Sequence, residues 1–197
     1  MREPASPRRQ SSLEDTPATY GWISIGLHWF AAAVIIALWL VGKGIATADG
    51  VAADARRALH VSIAASAWVI LAFRVAWRFR SGHPHVRGQS DAIHAVAKVT
   101  HYASLLAVVG MLVSGPVMVW ARGNPIDILG AVSIPGPFGA DADLAVLAHD
   151  VHAGSAALLF AIVLLHVGGA LKHLMFHTDD TIVRMLWPAR PLEDTER

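Results

Sequence analysis

Polar and apolar positions along this chain are not interleaved; they are gathered into blocks. Four stretches contain no Asp, Glu, Lys or Arg: residues 21–42, 58–73, 99–121 and 151–171. Each is apolar on every helical face, so none shows the one-sided stripe of a helix on a soluble core. A helix needs roughly 20 apolar residues to cross a hydrocarbon layer of about 30 Å. Three stretches meet that length directly. The second does so once Arg74 and Arg78 direct their charged ends toward the headgroups, which extends it to residue 79. Lipid admits only helices or closed barrels, and a barrel strand would alternate apolar and polar positions. The pattern therefore predicts an all-α integral membrane protein, a four-helix transmembrane bundle running up-down-up-down, with helices near 21–42, 58–79, 92–121 and 149–175. The first could be confused with a secretion signal, because Ala46-Thr47-Ala48 has the small residues of a cleavage site. Its apolar run exceeds the 7–15 residues of a typical signal core, so it is read as a retained helix.

Composition sharpens this picture. The chain is 54% hydrophobic and 16% charged, where a soluble domain carries about 25% charged residues. A net charge of +1 with no basic stripe excludes a nucleic-acid partner. The absence of cysteine excludes disulfides, thiolate metal sites, iron–sulfur clusters and covalent haem attachment. Any metal chemistry must then use imidazole or carboxylate, and the carboxylates lie almost wholly outside the apolar blocks.

Lys and Arg set the orientation. With the N-terminus in the cytoplasm, the inner side holds twelve of the 16: Arg2, Arg8, Arg9, Arg74, Arg78, Arg80, Arg87, Lys98, Lys172, Arg184, Arg190 and Arg197. The outer side holds Lys43, Arg56, Arg57 and Arg122. Both termini are placed in the cytoplasm. Residues 1–19, with prolines, serines and charges, are expected to be a disordered extension. Residues 20–187 form the membrane domain, and 188–197 a cytoplasmic tail. The longest connection, 122–150, is rich in Pro and Gly, and long loops of that kind usually carry function or a short surface element.

Histidine carries the chemistry. Of eleven histidines, His28 lies in the first span, His60 opens the second, His101 is near the start of the third, and His152 and His166 lie in the fourth. An ionisable residue inside a membrane span is a functional candidate because burying it unpaired is expensive. At a rise of 1.5 Å per residue, His28 lies about 10 Å in from the cytoplasmic side and His166 about 9 Å in from the same side. His60 and His152 are level with each other at the outer side. His152 and His166 are fourteen residues apart, a rise of about 21 Å that returns within about 40° of the same face. One helix thus offers two ligands, one above the other; His149, offset by about 100°, is a poorer one. A single histidine in a helix is commonly a hydrogen-bonded core residue, but four at matched depths form two facing pairs. Zinc would need three or four ligands at one level. Two facing imidazoles in a dry four-helix bundle suit haem iron. His83, His85 and His94 are read as solvated or interfacial, as are His173 and His177, for which contact with a haem propionate is the alternative.

These residues resemble the bacterial cytochrome b561 family of four-helix, di-haem membrane proteins. The resemblance covers residues 20–187. It rests on Ile25-Gly26-Leu27-His28-Trp29, Leu59-His60-Val61-Ser62, Arg122-Gly123-Asn124-Pro125, the step from His152 to His166, Lys172-His173, and Asp180-Thr181-Ile182-Val183-Arg184-Met185. The long N-terminal extension departs from the family pattern and does not touch the ligands. The resemblance implies two haem b groups, one held by His28 and His166 and the other by His60 and His152. It implies a multi-pass protein of the bacterial inner membrane that transfers electrons across it, with ubiquinone as acceptor and superoxide, or another one-electron donor, oxidised at the outer face. Arg56, Arg57 and Arg122 stand where they could attract such an anion, or serve as ordinary interfacial cations. Lys98, His101, Tyr102 and Lys172 are candidates for contacts to quinone or to haem propionates. The alternative is a cytochrome b anchor subunit of a hydrogenase- or formate dehydrogenase-like complex passing electrons to quinone. A haem-free transporter would need charged groups at mid-membrane depth, which the spans lack. The sequence leaves a dimer open.

Overall fold

A computed structural model describes residues 13–16, 19–81, 91–176 and 185–186, without the side chains of 91–94 and 172–176. His83, His85 and His177, the first twelve residues and the tail at 188–197 lie outside this set. So do the side chains of His94, Lys172 and His173. Four helices make the fold: α1 (Trp22–Ala46), α2 (Gly50–Ser81), α3 (Asp91–Ala121) and α4 (Ala142–Phe176). A two-stranded sheet, β1 (Ile126–Ile128) and β2 (Val132–Ile134), lies between α3 and α4. Each helix holds a segment long and apolar enough to cross a membrane.

Two helices begin earlier than the charge-free blocks predict. Helix α2 starts at Gly50 rather than 58, and α4 at Ala142 rather than 149. The charges at Asp54, Arg56, Arg57, Asp143 and Asp150 mark where the chain leaves lipid, not where the helix ends. The extra turns of α4 are initiated by Asp141, whose Oδ1 accepts the Leu144 N–H at 2.9 Å, a side-chain cap.

The helices pair as hairpins. Residues 47–49 are too few to do anything but turn α1 back along α2, and these two pack extensively, as do α3 and α4. Contact between the hairpins is thinner and runs chiefly through α2 and α3. A small apolar core of Ala31, Ala67 and Leu71 joins α1 to α2, with Leu112 of α3 against it. The histidine pairs span the slot that remains.

The tie between hairpins answers a specific defect. Pro116 sits inside α3 and has no N–H to give the carbonyl four residues earlier, that of Leu112. Trp68 on α2 donates its Nε1–H to that carbonyl at 2.9 Å. Within lipid no water is present to do the same. Trp68→Phe keeps the ring and deletes the donor; it is expected to cost about 1–2 kcal/mol. Equilibrium unfolding in mixed micelles measures this, and an unchanged unfolding free energy would refute it.

At the end of the bundle where α1 begins, residues ahead of that helix are fastened to it. Leu13–Thr16, expected to be disordered, are tied to the bundle by Asp15. Its Oδ1 accepts the Gly21 N–H at 2.8 Å, and its Oδ2 accepts the Ser24 hydroxyl at 2.8 Å and the Arg78 guanidinium at 3.0 Å. Both side chains of the ion pair are about 5% exposed or less. Trp77 adds a bond from its Nε1–H to Ser24 Oγ at 2.9 Å. A charged residue in a polar leader looks solvated in sequence; here a cation on α2 needs a counter-ion where water is scarce, and Asp15 supplies it.

At the opposite end the β-hairpin folds over α2. Its turn places Leu129 at φ 52° and Gly130 at φ 71°, the paired positive angles of a primed hairpin turn. Ser62 holds it from below: its hydroxyl donates to the Asp127 carbonyl and accepts the Leu129 N–H, both at 3.1 Å.

Candidate haem-binding site

The fold brings the four span histidines together in two pairs. His28 of α1 faces His166 of α4 with ring centroids 6.2 Å apart. His60 of α2 faces His152 of α4 at 6.3 Å. Both pairs bridge the two hairpins. The sequence-based pairing by depth is the pairing that the structure brings into ring contact.

These separations can be tested against an iron ion. An imidazole nitrogen binds a first-row metal at about 2 Å and lies about 1.1 Å from its ring centre, so two rings sharing one ion have centroids about 6.3 Å apart. Ring planes rotated by 62° and 74° are compatible, because rotation about a shared axis leaves both nitrogens in place. Among the described residues no group of three or more histidines or carboxylates could hold a metal ion. The donor set at each level is therefore two imidazoles. That set suits a metal whose remaining ligands come from a macrocycle, as in haem, and fits zinc poorly.

The surroundings of the rings agree. Ser114 Oγ lies 3.1 Å from Nδ1 of His152. An Nδ1–H donating to that hydroxyl leaves the Nε2 lone pair free for a metal and fixes the ring's orientation. Gly42 and Gly115 border the His60–His152 pair: a Cβ on Gly42 would meet His60 at 3.5 Å and one on Gly115 would meet His152 at 3.6 Å, ordinary contact distances. Between the two levels Trp39 of α1 stacks on Phe160 of α4, with centroids 4.8 Å apart and planes 2° from parallel. At the level of His28 the Trp29 Nε1–H donates to the Met185 carbonyl at 2.8 Å and so ties residues 185–186 to α1.

The remaining candidates are spread more widely. His101 is half-buried with Nε2 inside the protein, and its ring meets Tyr102 edge-on at 5.8 Å. Tyr102 reaches Phe79 on α2 at 6.5 Å. Lys98 is exposed on α3, and the backbone of Lys172 lies in the last turns of α4. His149 is exposed beside Asp150 at 3.3 Å. Arg56, Arg57 and Arg122, the arginines near the β-hairpin end of the bundle, differ in their commitments. Arg57 pairs with Asp54 at 2.6 Å. Arg56 caps α1 by donating to the Gly44 carbonyl at 2.5 Å. Arg122 lines a cavity of about 240 Å³ with His149, Ala145 and Val146.

The sequence did not single out Ser114, and it offered Arg74 only as a charge at the end of a span. A serine in an apolar span carries no signal that it faces a particular ring, whereas Pro116, two residues on, is a signal that could have marked α3 as a helix with an unanswered carbonyl.

Four membrane-spanning helices, with paired histidines across the slot between two hairpins, define a multi-pass membrane protein built like a four-helix cytochrome b. Comparison with known proteins makes the assignment particular. The family model described as prokaryotic cytochrome b561 matches residues 19–188. The chain is 32% identical over 182 residues to "Cytochrome b561 homolog 2" of Escherichia coli (strain K12), covering 89% of this chain and 95% of that protein. It is 24% identical over 168 residues to "Probable superoxide oxidase CybB" of Yersinia pestis, covering 85% and 95%. The chain belongs to the prokaryotic cytochrome b561 family, whose members transfer electrons across a membrane and for which haem b is the expected cofactor.

Proposed function

We propose that this protein carries electrons inward across the bacterial inner membrane, from superoxide at the outer face to ubiquinone. The observation that carries the reading is the pair of histidine pairs at iron-bridging separation, 6.2 and 6.3 Å, on two levels of one bundle. In this reading His28 and His166 hold one haem b and His60 and His152 the other. The haems, when bound, supply reversible one-electron redox chemistry. The chain supplies the rest. Its helices keep the path dry, and Ser114 orients His152. Two imidazoles at each level would hold a haem in the manner that suits electron transfer rather than oxygen binding. Superoxide loses one electron to become dioxygen, and two such electrons with two protons convert quinone to quinol. The bias of Lys and Arg toward one side supports placing both termini in the cytoplasm. The membrane domain is taken as residues 20–187. The likeness to the Yersinia pestis protein named a probable superoxide oxidase supports the donor.

Arg122 is the outer cation proposed to draw the anion in. Arg56 and Arg57 are committed to a carbonyl and a carboxylate. Local positive charge raises the arrival rate of an anion and does so most at low salt. Purified protein in liposomes containing ubiquinone, supplied with enzymatically generated superoxide, is expected to form ubiquinol at a rate that falls with ionic strength. Arg122→Gln is expected to lower that rate several-fold at low salt and flatten the salt dependence, with haem content unchanged. No superoxide-dependent ubiquinol from fully haem-loaded protein would remove the proposed donor, and an unchanged salt profile in Arg122→Gln would remove Arg122 from the route.

A further inference from the structure

Arg74 and Arg78 lie one turn apart on α2, and the fold treats them differently. Arg78 is buried and answered by Asp15 at 3.0 Å. Arg74 is half-buried, and among the described residues no carboxylate stands within ion-pair distance of it. Its hydrogen bond goes instead to Nδ1 of His28, at 3.2 Å.

That bond constrains the histidine. A guanidinium has donors and no acceptor, so Nδ1 must accept and the proton of the neutral ring must sit on Nε2. A histidine that offers Nε2 to a metal needs the reverse, with its proton on Nδ1 and directed at an acceptor. The two arrangements of His28 exclude each other. Whatever takes Nε2 also dismisses Arg74, and a cation left in low dielectric without an anion is costly.

We propose that Arg74 is the anchor for a carboxylate of the inner haem, exchanging its bond to His28 for an ion pair with that carboxylate. The proposal rests on the reading of His28 and His166 as axial ligands. A haem b group brings two propionates, and a guanidinium matches a carboxylate with two parallel hydrogen bonds. A lipid phosphate offers the same chemistry, so the test must separate the two sources. Arg74 in its present place holds the ring proton on Nε2, so that His28 presents Nε2 to iron only when a carboxylate arrives to take the arginine.

The experiment follows haem loss from the full chain, in lipid-free detergent, to excess apomyoglobin. It compares the wild type with Arg74→Gln and Arg74→Lys, each loaded with haem b or with its dimethyl ester, which lacks the carboxylates. Arg74→Gln is expected to speed the loss of one of the two haems about tenfold, equivalent to ~1.4 kcal/mol, and to lower that haem's midpoint potential. Arg74→Lys should fall between. The ester should speed loss from the wild type by a similar factor and have little further effect in Arg74→Gln, the non-additivity of two partners in one contact. Equal loss rates in wild type and Arg74→Gln, or fully additive effects of ester and mutation, overturn the proposal. So does an Arg74→Gln effect that appears only after anionic phospholipid is added, which assigns the partner to a lipid phosphate. His28→Ala separates this from the ligand reading: if it keeps both haems with unchanged spectra, the ligand assignment fails, and if it loses one while Arg74→Gln changes nothing, only the anchor fails. Should Arg74→Gln not fold, Arg74→Lys takes its place in the same cycle with the ester.

Discussion

His60→Ala is expected to halve the haem content of the purified protein, from two low-spin b haems per chain to one. A b-type haem is held by no covalent bond to the chain, so axial ligation and packing alone retain it. Removing one imidazole of a facing pair leaves the iron with a single protein ligand and leaves an apolar void where a ring stood. His152→Ala should do the same at the same level. His28→Ala and His166→Ala should each remove the other haem. The double variant His60→Ala/His28→Ala should be colourless, while His149→Ala, which alters the exposed neighbour on α4, should keep both. Ser114→Ala is a finer probe of the same site. It deletes only the group beside Nδ1 of His152, and loss of such an outer partner typically weakens metal binding by 10–100-fold, so about tenfold is expected here. Reduced-minus-oxidised spectra with haem quantified per chain provide the readout. Two haems retained in His60→Ala with an unchanged low-spin spectrum would mean that another side chain holds the outer iron.

The largest expected effect on stability lies outside the site. Asp15→Ala leaves Arg78 buried without its counter-ion and removes the acceptor for Ser24 and for the Gly21 N–H. Breaking one side of a buried ion pair typically costs about 3–5 kcal/mol, whereas replacing both partners with apolar groups is often close to neutral. Asp15→Ala is therefore expected to destabilise the bundle by about that amount, and Asp15→Leu/Arg78→Met to recover most of it. Equilibrium unfolding in mixed micelles tests the pair. An Asp15→Ala protein as stable as the wild type would show that Arg78 finds another anion and that the leader is not part of the fold's support. The Arg78 guanidinium also lies over the Tyr20 ring, 5.3 Å from its centre, so the leader and the start of α1 are fastened to α2 by the same cation.

The two arginines on α2 show why side-chain roles were hard to read from the chain alone. By spacing, Arg74 and Arg78 are equivalent: both end a span and both can reach toward headgroups. Their difference comes from what other elements bring to each, a carboxylate from the leader in one case and a histidine from α1 in the other. The outer cations behave likewise. Arg56, Arg57 and Arg122 were equal candidates for attracting an anion, and only the fold shows that two of them already have partners.

Much else was legible without the fold. Charge-free blocks of about 20 residues predict four membrane-spanning helices, because lipid tolerates neither stray charge nor unpaired backbone. The fourteen-residue step from His152 to His166 and the depths of His28 and His60 predict two facing pairs, because helical rise and periodicity are rigid. What only the tertiary structure decided were contacts that depend on rotation and on distant elements: Trp68 answering the carbonyl that Pro116 orphans, Ser62 clamping the hairpin, Ser114 beside His152, and Asp15 reaching back to Arg78. The physical reason is the same for each. Helix length and depth are properties of the local chain. A partner for a buried polar group is found wherever the fold happens to supply one, and no spacing along a single helix encodes it.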